Sequence, residues 1–190
     1  MAKTALPRGF AKSRVIDAAL KLFAEHGVNG TSLQMIADEL GVRKASVYYQ
    51  FPSKDEIVLA VVEPVFEDLK RLVKIAEAVD SEVSRREVAI SGLVELAVRH
   101  RQVTAVFYMD PAVDALVHST AEFIEVTDRL ATMLTGDQPD MATRVTVTMI
   151  TAGIYGTATH PELTDVPDDE LHRILLQCAQ QLLRSVAADL

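Results

Sequence analysis

Between Thr31 and Lys54 the chain reads TSLQMIADELGVRKASVYYQFPSK, a run in which cations, hydroxyls and phenols stand at helical spacing beside apolar positions. Leu33, Ile36, Ala37 and Leu40 fall at i, i+3, i+4 and i+7, which lines one face of a short helix, and Thr31 or Ser32 supplies its N-cap oxygen. Gly41 breaks that helix, because glycine enters the left-handed conformation that a tight turn requires. A second helix is expected from about Lys44 to Phe51, stopped by Pro52. On it Val47 and Phe51 share one side, while Ala45, Tyr48 and Tyr49 project from the other. A recognition helix needs a small residue near the groove floor, polar or cationic groups at its start, and aromatic hydroxyls toward the phosphates. Arg43, Lys44, Ala45, Ser46, Tyr48 and Tyr49 meet that description, so the chemistry implied is the reading of duplex DNA.

Catalytic chemistry has no comparable support. There is no Gly-x-Ser-x-Gly nucleophile turn, no His-Glu-x-x-His helix, no phosphate-binding glycine loop and no dinucleotide fingerprint. His26, His100, His118, His160 and His172 are scattered without i, i+4 pairing, and the single cysteine, Cys178, excludes an internal disulfide and a cysteine-rich metal site. No catalytic residue, metal or cofactor is expected, and the chain reads as a non-enzyme. Asp168, Asp169 and Glu170 open the last helix, where negative charge complements the helix dipole without a metal.

The elements that must hold this reader are helical throughout. Val15, Ala18, Ala19, Leu22 and Phe23 mark a first helix ending at Glu25-His26-Gly27. After Pro52-Ser53-Lys54, with Ser53 as N-cap and Asp55 and Glu56 in the positive first turn, a long helix is predicted to about Asp80, kinked or broken at Pro64. Further helices are expected at roughly 82–99, 102–109, 111–118, 120–134, 139–158 and 167–186, with no persistent strand pattern, so the fold class is all-α. Val145 to Ala158 is apolar, threonine or glycine on every side, which predicts burial all round, and it is too short for the roughly 20 residues that span a bilayer. Leu171, Ile174, Leu175, Cys178, Leu182 and Val186 form one stripe on the last helix, and Cys178 is read as a small buried hydrophobe.

In its first 60 or so residues the chain resembles the TetR family of one-component transcriptional repressors. The resemblance rests on Ser32, Ile36-Ala37, Gly41-Val42, Arg43 to Ser46, Tyr48-Tyr49-Gln50-Phe51 and Lys54; Arg43, Ala45 and Gln50 depart from residues common in the family. It implies a domain at 1–54, matching the family over about 9–69 with the helix-turn-helix at 32–51, and a regulatory, ligand-binding and dimerisation domain at 55–190. It implies DNA contacts from Thr31, Ser32, Arg43, Lys44, Ala45, Ser46, Tyr48, Tyr49 and Lys54, the last as a phosphate anchor. It also implies a homodimer paired through the last two long helices, with Ala152, Gly153, Gly156, Ile174, Cys178 and Leu182 at the interface. A small-molecule effector would sit among Phe66, Leu93, Leu96, Phe107, Tyr108, Met109, Phe123, Met133, Met149 and Tyr155, each of which reads first as simple core. Arg99, His100 and Arg101 could orient a polar ligand head or simply solvate a helix end.

The chain has 190 residues, 49% hydrophobic and 24% charged, with a net charge of -8. That sign suits a DNA binder only once it is divided. Residues 1–57 hold eight Lys+Arg against six Asp+Glu, net +2, so the acidic excess lies in 58–190, and Lys3, Arg8, Lys12 and Arg14 form a basic arm. The start of the chain lacks a continuous apolar run, so a cytoplasmic location is expected. The partners expected are double-stranded operator DNA, a second copy of the chain and a small effector, without a membrane. Two other readings remain open here: a helix-turn-helix regulator without an effector, and an all-helical protein that does not bind DNA.

Overall fold

The computed structural model describes residues 8–108 and 110–187, with side chains from 12 to 184 apart from 109. Its helices are α1 (Arg8–Gly30), α2 (Leu33–Glu39), α3 (Lys44–Gln50), α4 (Lys54–Glu77), α5 (Glu82–Arg99), α6 (Arg101–Phe107), α7 (Pro111–Val117), α8 (Ala121–Thr135), α9 (Met141–Ala158) and α10 (Asp168–Ala187), with a 3-10 turn at Pro161–Leu163. No strand occurs among the described residues. The fold is all-α, and none of the described helices is long and apolar enough to cross a membrane.

The chain divides into two compact units. The first joins residues 1–64 to the returning segment 106–119, and the second comprises 65–105 and 120–190. In the first unit the apolar positions of α1 (Val15, Ala18, Ala19, Leu22, Phe23), α2 (Leu33, Ile36, Ala37) and α3 (Val47) are all buried, together with Phe51. Phe107 closes this core, its ring centroid 5.8 Å from that of Phe23. α4 runs unbroken through Pro64, which is exposed, and ends at Glu77 rather than near Asp80.

The second unit is built on a core of Leu72, Val73, Ala76, Leu93, Val94, Leu96, Met133, Leu134, Ile150, Ile154, Leu171 and Leu175, with Phe66, Leu69 and Tyr155 packed against it. Gly92 lies so close to α4 that a Cβ there would meet Leu72 Cδ1 at 2.1 Å. At the end of α5, His100 Nε2 is 2.9 Å from Asp68 Oδ2, and Arg71 and Arg99 also face that carboxylate. The His100 hydrogen bond, helped by the charges of Arg71, His100 and Arg99 and opposed by burial, holds the Asp68 carboxyl below its ordinary range. Arg101 donates to the carbonyls of Thr164 and Val166, at 3.2 and 3.3 Å, and pairs with Asp168.

Two expectations for the last long helices change. α9 buries only Val147, Ile150, Ile154 and Ala158, so it has an outer face in the single chain, on which Met149 is 61% exposed. On α10 the buried stripe is Leu171, Leu175 and Ala179, which leaves Cys178 exposed beside Ile174 and Leu182. The stripe is rotated by one residue, because Ala179 rather than Cys178 continues the i, i+4 sequence from Leu175.

Candidate nucleic-acid interface

Ser32 caps α2, its hydroxyl accepting from Met35 N at 3.2 Å, so Ser32 and not Thr31 is the N-cap. Gly41 has φ 63, the left-handed value that lets the chain leave α2 in a tight turn and enter α3. The turn is closed by Val42 N donating to Ala37 O at 2.9 Å.

α3 then separates its two sides. Val47 is fully buried and Phe51, just beyond the helix, is 2% exposed, whereas Arg43, Lys44, Ala45 and Ser46 are exposed. Tyr48 is 47% and Tyr49 73% exposed. A tyrosine left this open contributes little to the protomer's stability, and the phenol is free for an outside partner. Lys44 Nζ stands 5.5 Å from the centroid of Tyr48, a cation–π contact that restricts where the ammonium can go. Behind the helix, Lys12 Nζ covers the Phe51 ring at 5.1 Å, and Lys21 pairs with Glu39 at 2.7 Å, tying α1 to α2.

Two residues grouped with the DNA-facing set bond backbone carbonyls of the chain itself. Thr31 is 2% exposed, and its Oγ1 lies 2.9 Å from the Gly27 carbonyl and 3.2 Å from that of Leu22, donating its one proton between them. Lys54, the first residue of α4, donates from Nζ to Val28 O at 2.6 Å and Thr31 O at 3.1 Å. The remaining set, Ser32 at the cap of α2 and Arg43 to Ser46, Tyr48 and Tyr49 on or beside α3, is exposed. Gly27, where the sequence ends the first helix, has φ 71; α1 bends there and continues for one more turn to Gly30.

The effector candidates are divided between the two units. Leu93, Leu96 and Met133 are core of the second unit, and Phe66 and Phe123 stack there with centroids 5.4 Å apart. Phe107 belongs to the first unit, Tyr108 is exposed, Met149 is on the outside of α9, and Met109 lies outside the described residues. Among the residues expected at a dimer interface, Ala152, Gly153, Gly156, Ile174, Cys178 and Leu182 are all exposed on α9 and α10. A Cβ at Gly153 or Gly156 would meet nothing within 4 Å. Among the described residues no group of three His, Cys, Asp or Glu could hold a metal ion.

Residues 15–61 match the family of bacterial regulatory proteins designated tetR. The chain is 40% identical over 62 residues to the biofilm operon icaADBC HTH-type negative transcriptional regulator IcaR of Staphylococcus aureus strain Newman, covering 33% of each chain. To the regulator of the same name in Staphylococcus epidermidis it is 42% identical over 55 residues, covering 29% of this chain and 30% of that one. The chain therefore aligns with about a third of the length of the curated relatives it matches. Its fold is similar to that of the ketosteroid transcriptional regulator KstR2 of Mycobacterium tuberculosis, with TM-score 0.71, 19% identity and 97% of each chain covered. It is also similar to the Bacillus subtilis transcriptional regulator FadR, solved in complex with stearoyl-CoA, with TM-score 0.54, 17% identity, and 86% of this chain and 97% of that one covered. The amino-terminal helix-turn-helix is thus of the TetR family of transcriptional regulators, on an all-helical fold shared with such regulators along most of the chain.

Proposed function

We propose that this TetR-type protein is a homodimeric transcriptional repressor that reads a palindromic operator through paired α3 helices and is released by a small-molecule effector. The observation that carries DNA reading is the two-sidedness of α3. Val47 and Phe51 are spent on the core, while Arg43, Lys44, Ser46, Tyr48 and Tyr49 are open to an outside partner. Base contacts are assigned to Arg43, Lys44, Ala45, Ser46 and Tyr49, and phosphate contacts to Tyr48 and to Ser32 at the start of α2.

Twofold binding follows from the size of the reader. One short helix offers too few base contacts for specificity, so two half-sites about 34–36 Å apart, or a multiple of that, are needed. The apolar, small-residue outer face of α9 and α10 is the surface that supports pairing of two copies. Repression is the reading that IcaR, described as a negative regulator, favours, and the FadR complex with stearoyl-CoA supports an apolar effector for a protein of this fold.

Footprinting on a duplex recovered by binding-site selection tests this reading. Two protected half-sites with dyad symmetry are expected, with protection lost at high salt; one asymmetric half-site refutes twofold binding. A regulator without an effector is the second reading, favoured by the placement of Leu93 and Leu96 in packed core and by the exposure of Met149. Coupling between effector and operator is reciprocal and typically about 1–3 kcal/mol. A compound that binds with the same affinity in the presence and absence of operator would give the second reading the lead.

A further inference from the structure

A lysine as the first residue of a helix is electrostatically misplaced, since the N-terminus of a helix is its positive end. Asp55 and Glu56, which follow Lys54 in the first turn of α4, have the favourable sign there. Lys54 resolves the conflict by reaching away from its own helix to the opposite pole of another. Its ammonium donates to Val28 O at 2.6 Å and Thr31 O at 3.1 Å, carbonyls in and just after the last turn of α1. Helix ends leave carbonyls without intrahelical donors, and a cation satisfies them with the favourable sign.

The same corner holds a second polar device. α1 bends at Gly27, and the buried Thr31 hydroxyl closes the bend onto Gly27 O and Leu22 O. Thr31 N also donates to Val28 O at 3.3 Å, and Ser32 immediately begins the cap of α2. One short segment, 27–32, therefore fixes where α2 starts, and the Lys54 ammonium at the start of α4 bonds to it. Two of the three Lys54 donors are committed to it.

We propose that Lys54 is a positioning residue: it clasps the α1–α2 corner to the start of α4 and sets the placement of the helix-turn-helix, rather than serving chiefly as a phosphate contact. The inference rests on the DNA-reading function proposed above. Thr31 is its partner in the same clasp, and at 2% exposure it has no route to DNA. A displaced corner moves α2, and α3 moves with it, because Ile36, Ala37 and Val47 share one buried core.

Lys54→Met and Thr31→Val separate the two roles. Loss of a phosphate contact weakens every sequence alike, whereas a misplaced reader loses its preferred sequence most. Each variant is titrated, at a temperature where circular dichroism shows it folded, against a selected operator duplex and a random duplex. The expected result is a fall of roughly tenfold or more in operator affinity and a several-fold smaller fall on random DNA, shared by both variants. Equal losses on the two duplexes for Lys54→Met, or no loss in the folded protein, overturn the proposal. Amide hydrogen exchange in the DNA-free protein gives a readout independent of DNA reading. Faster exchange over 28–36 in both variants is expected, and unchanged exchange there overturns the clasp even if the wild-type protein proves to bind no DNA.

Discussion

On α3 the exposed side chains include Lys44, Tyr48 and Tyr49; on α9 and α10, among charged and polar neighbours, the exposed large hydrophobics are Met141, Val145, Met149, Ile174 and Leu182. Neither set is explained by the protomer, yet the two call for different partners. The α3 face offers a cation, hydroxyls and π-faces, groups that keep their hydration until phosphates or base edges replace it. The α9–α10 face offers aliphatic and thioether surface around Ala152, Gly153 and Gly156, which is stabilised only by removal from water. A residue's exposure thus means different things in the two places: in one a polar surface kept ready, in the other an apolar surface left unfinished.

The largest effect is expected where the comparison is broken on the apolar side. Gly153→Leu has open space around it in the single chain, so the protomer should fold and melt normally. If a second copy covers this face, sedimentation should show monomers. Operator affinity should then fall by a factor on the order of 10²–10⁴, the typical gain from linking two sites. An intact dimer of this variant would place the interface elsewhere.

On the polar side the effects are smaller and sort by sequence. Lys44→Ala or Ser46→Ala should change preference at one or two operator positions, with about 1–3 kcal/mol of discrimination per good base contact. Binding-site selection checks this, and an unchanged consensus removes both from the reading surface. Tyr48→Phe should weaken operator and random duplex alike and leave the consensus untouched. If it altered base preference, Tyr48 would belong among the base readers.

The smallest effect is internal to the second unit and sharpens the contrast with both open faces, because here the charges are already partnered. Asp68, held by His100, Arg71 and Arg99, has a lowered folded pKa. Such a carboxylate contributes stability above its unfolded pKa of about 3.9 and loses it as pH falls through the folded value. Asp68→Asn should therefore melt below the wild type at pH 7, with the gap closing as pH drops through and below 4. A gap that persists undiminished in acid would show that the ion cluster is not its source.

Part of the helix content was legible because the chain carries its own punctuation: Ser32, Gly41 and Ser53 cap or break helices where the sequence places them. The face of α3 was legible for the same reason, a short helix having only two sides. What local pattern could not reveal was rotation and return. The shift of the α10 stripe from Cys178 to Ala179 depends on which neighbour α10 meets, and the joining of 106–119 to the first unit depends on contacts distant in sequence. For Thr31 and Lys54, residue type alone could not reveal that the hydroxyl and the ammonium bond backbone carbonyls of the chain itself.

The pairing of Phe23 with Phe107 also bears on how the protein is made. During synthesis the first 64 residues emerge before the segment that completes their core, and at about 5–20 residues per second the delay is on the order of a few seconds. For that interval Phe23, which is 2% exposed in the finished fold, lacks the ring that covers it. The nascent reader is an incomplete folding unit, and maturation on the ribosome must wait for a stretch encoded far downstream.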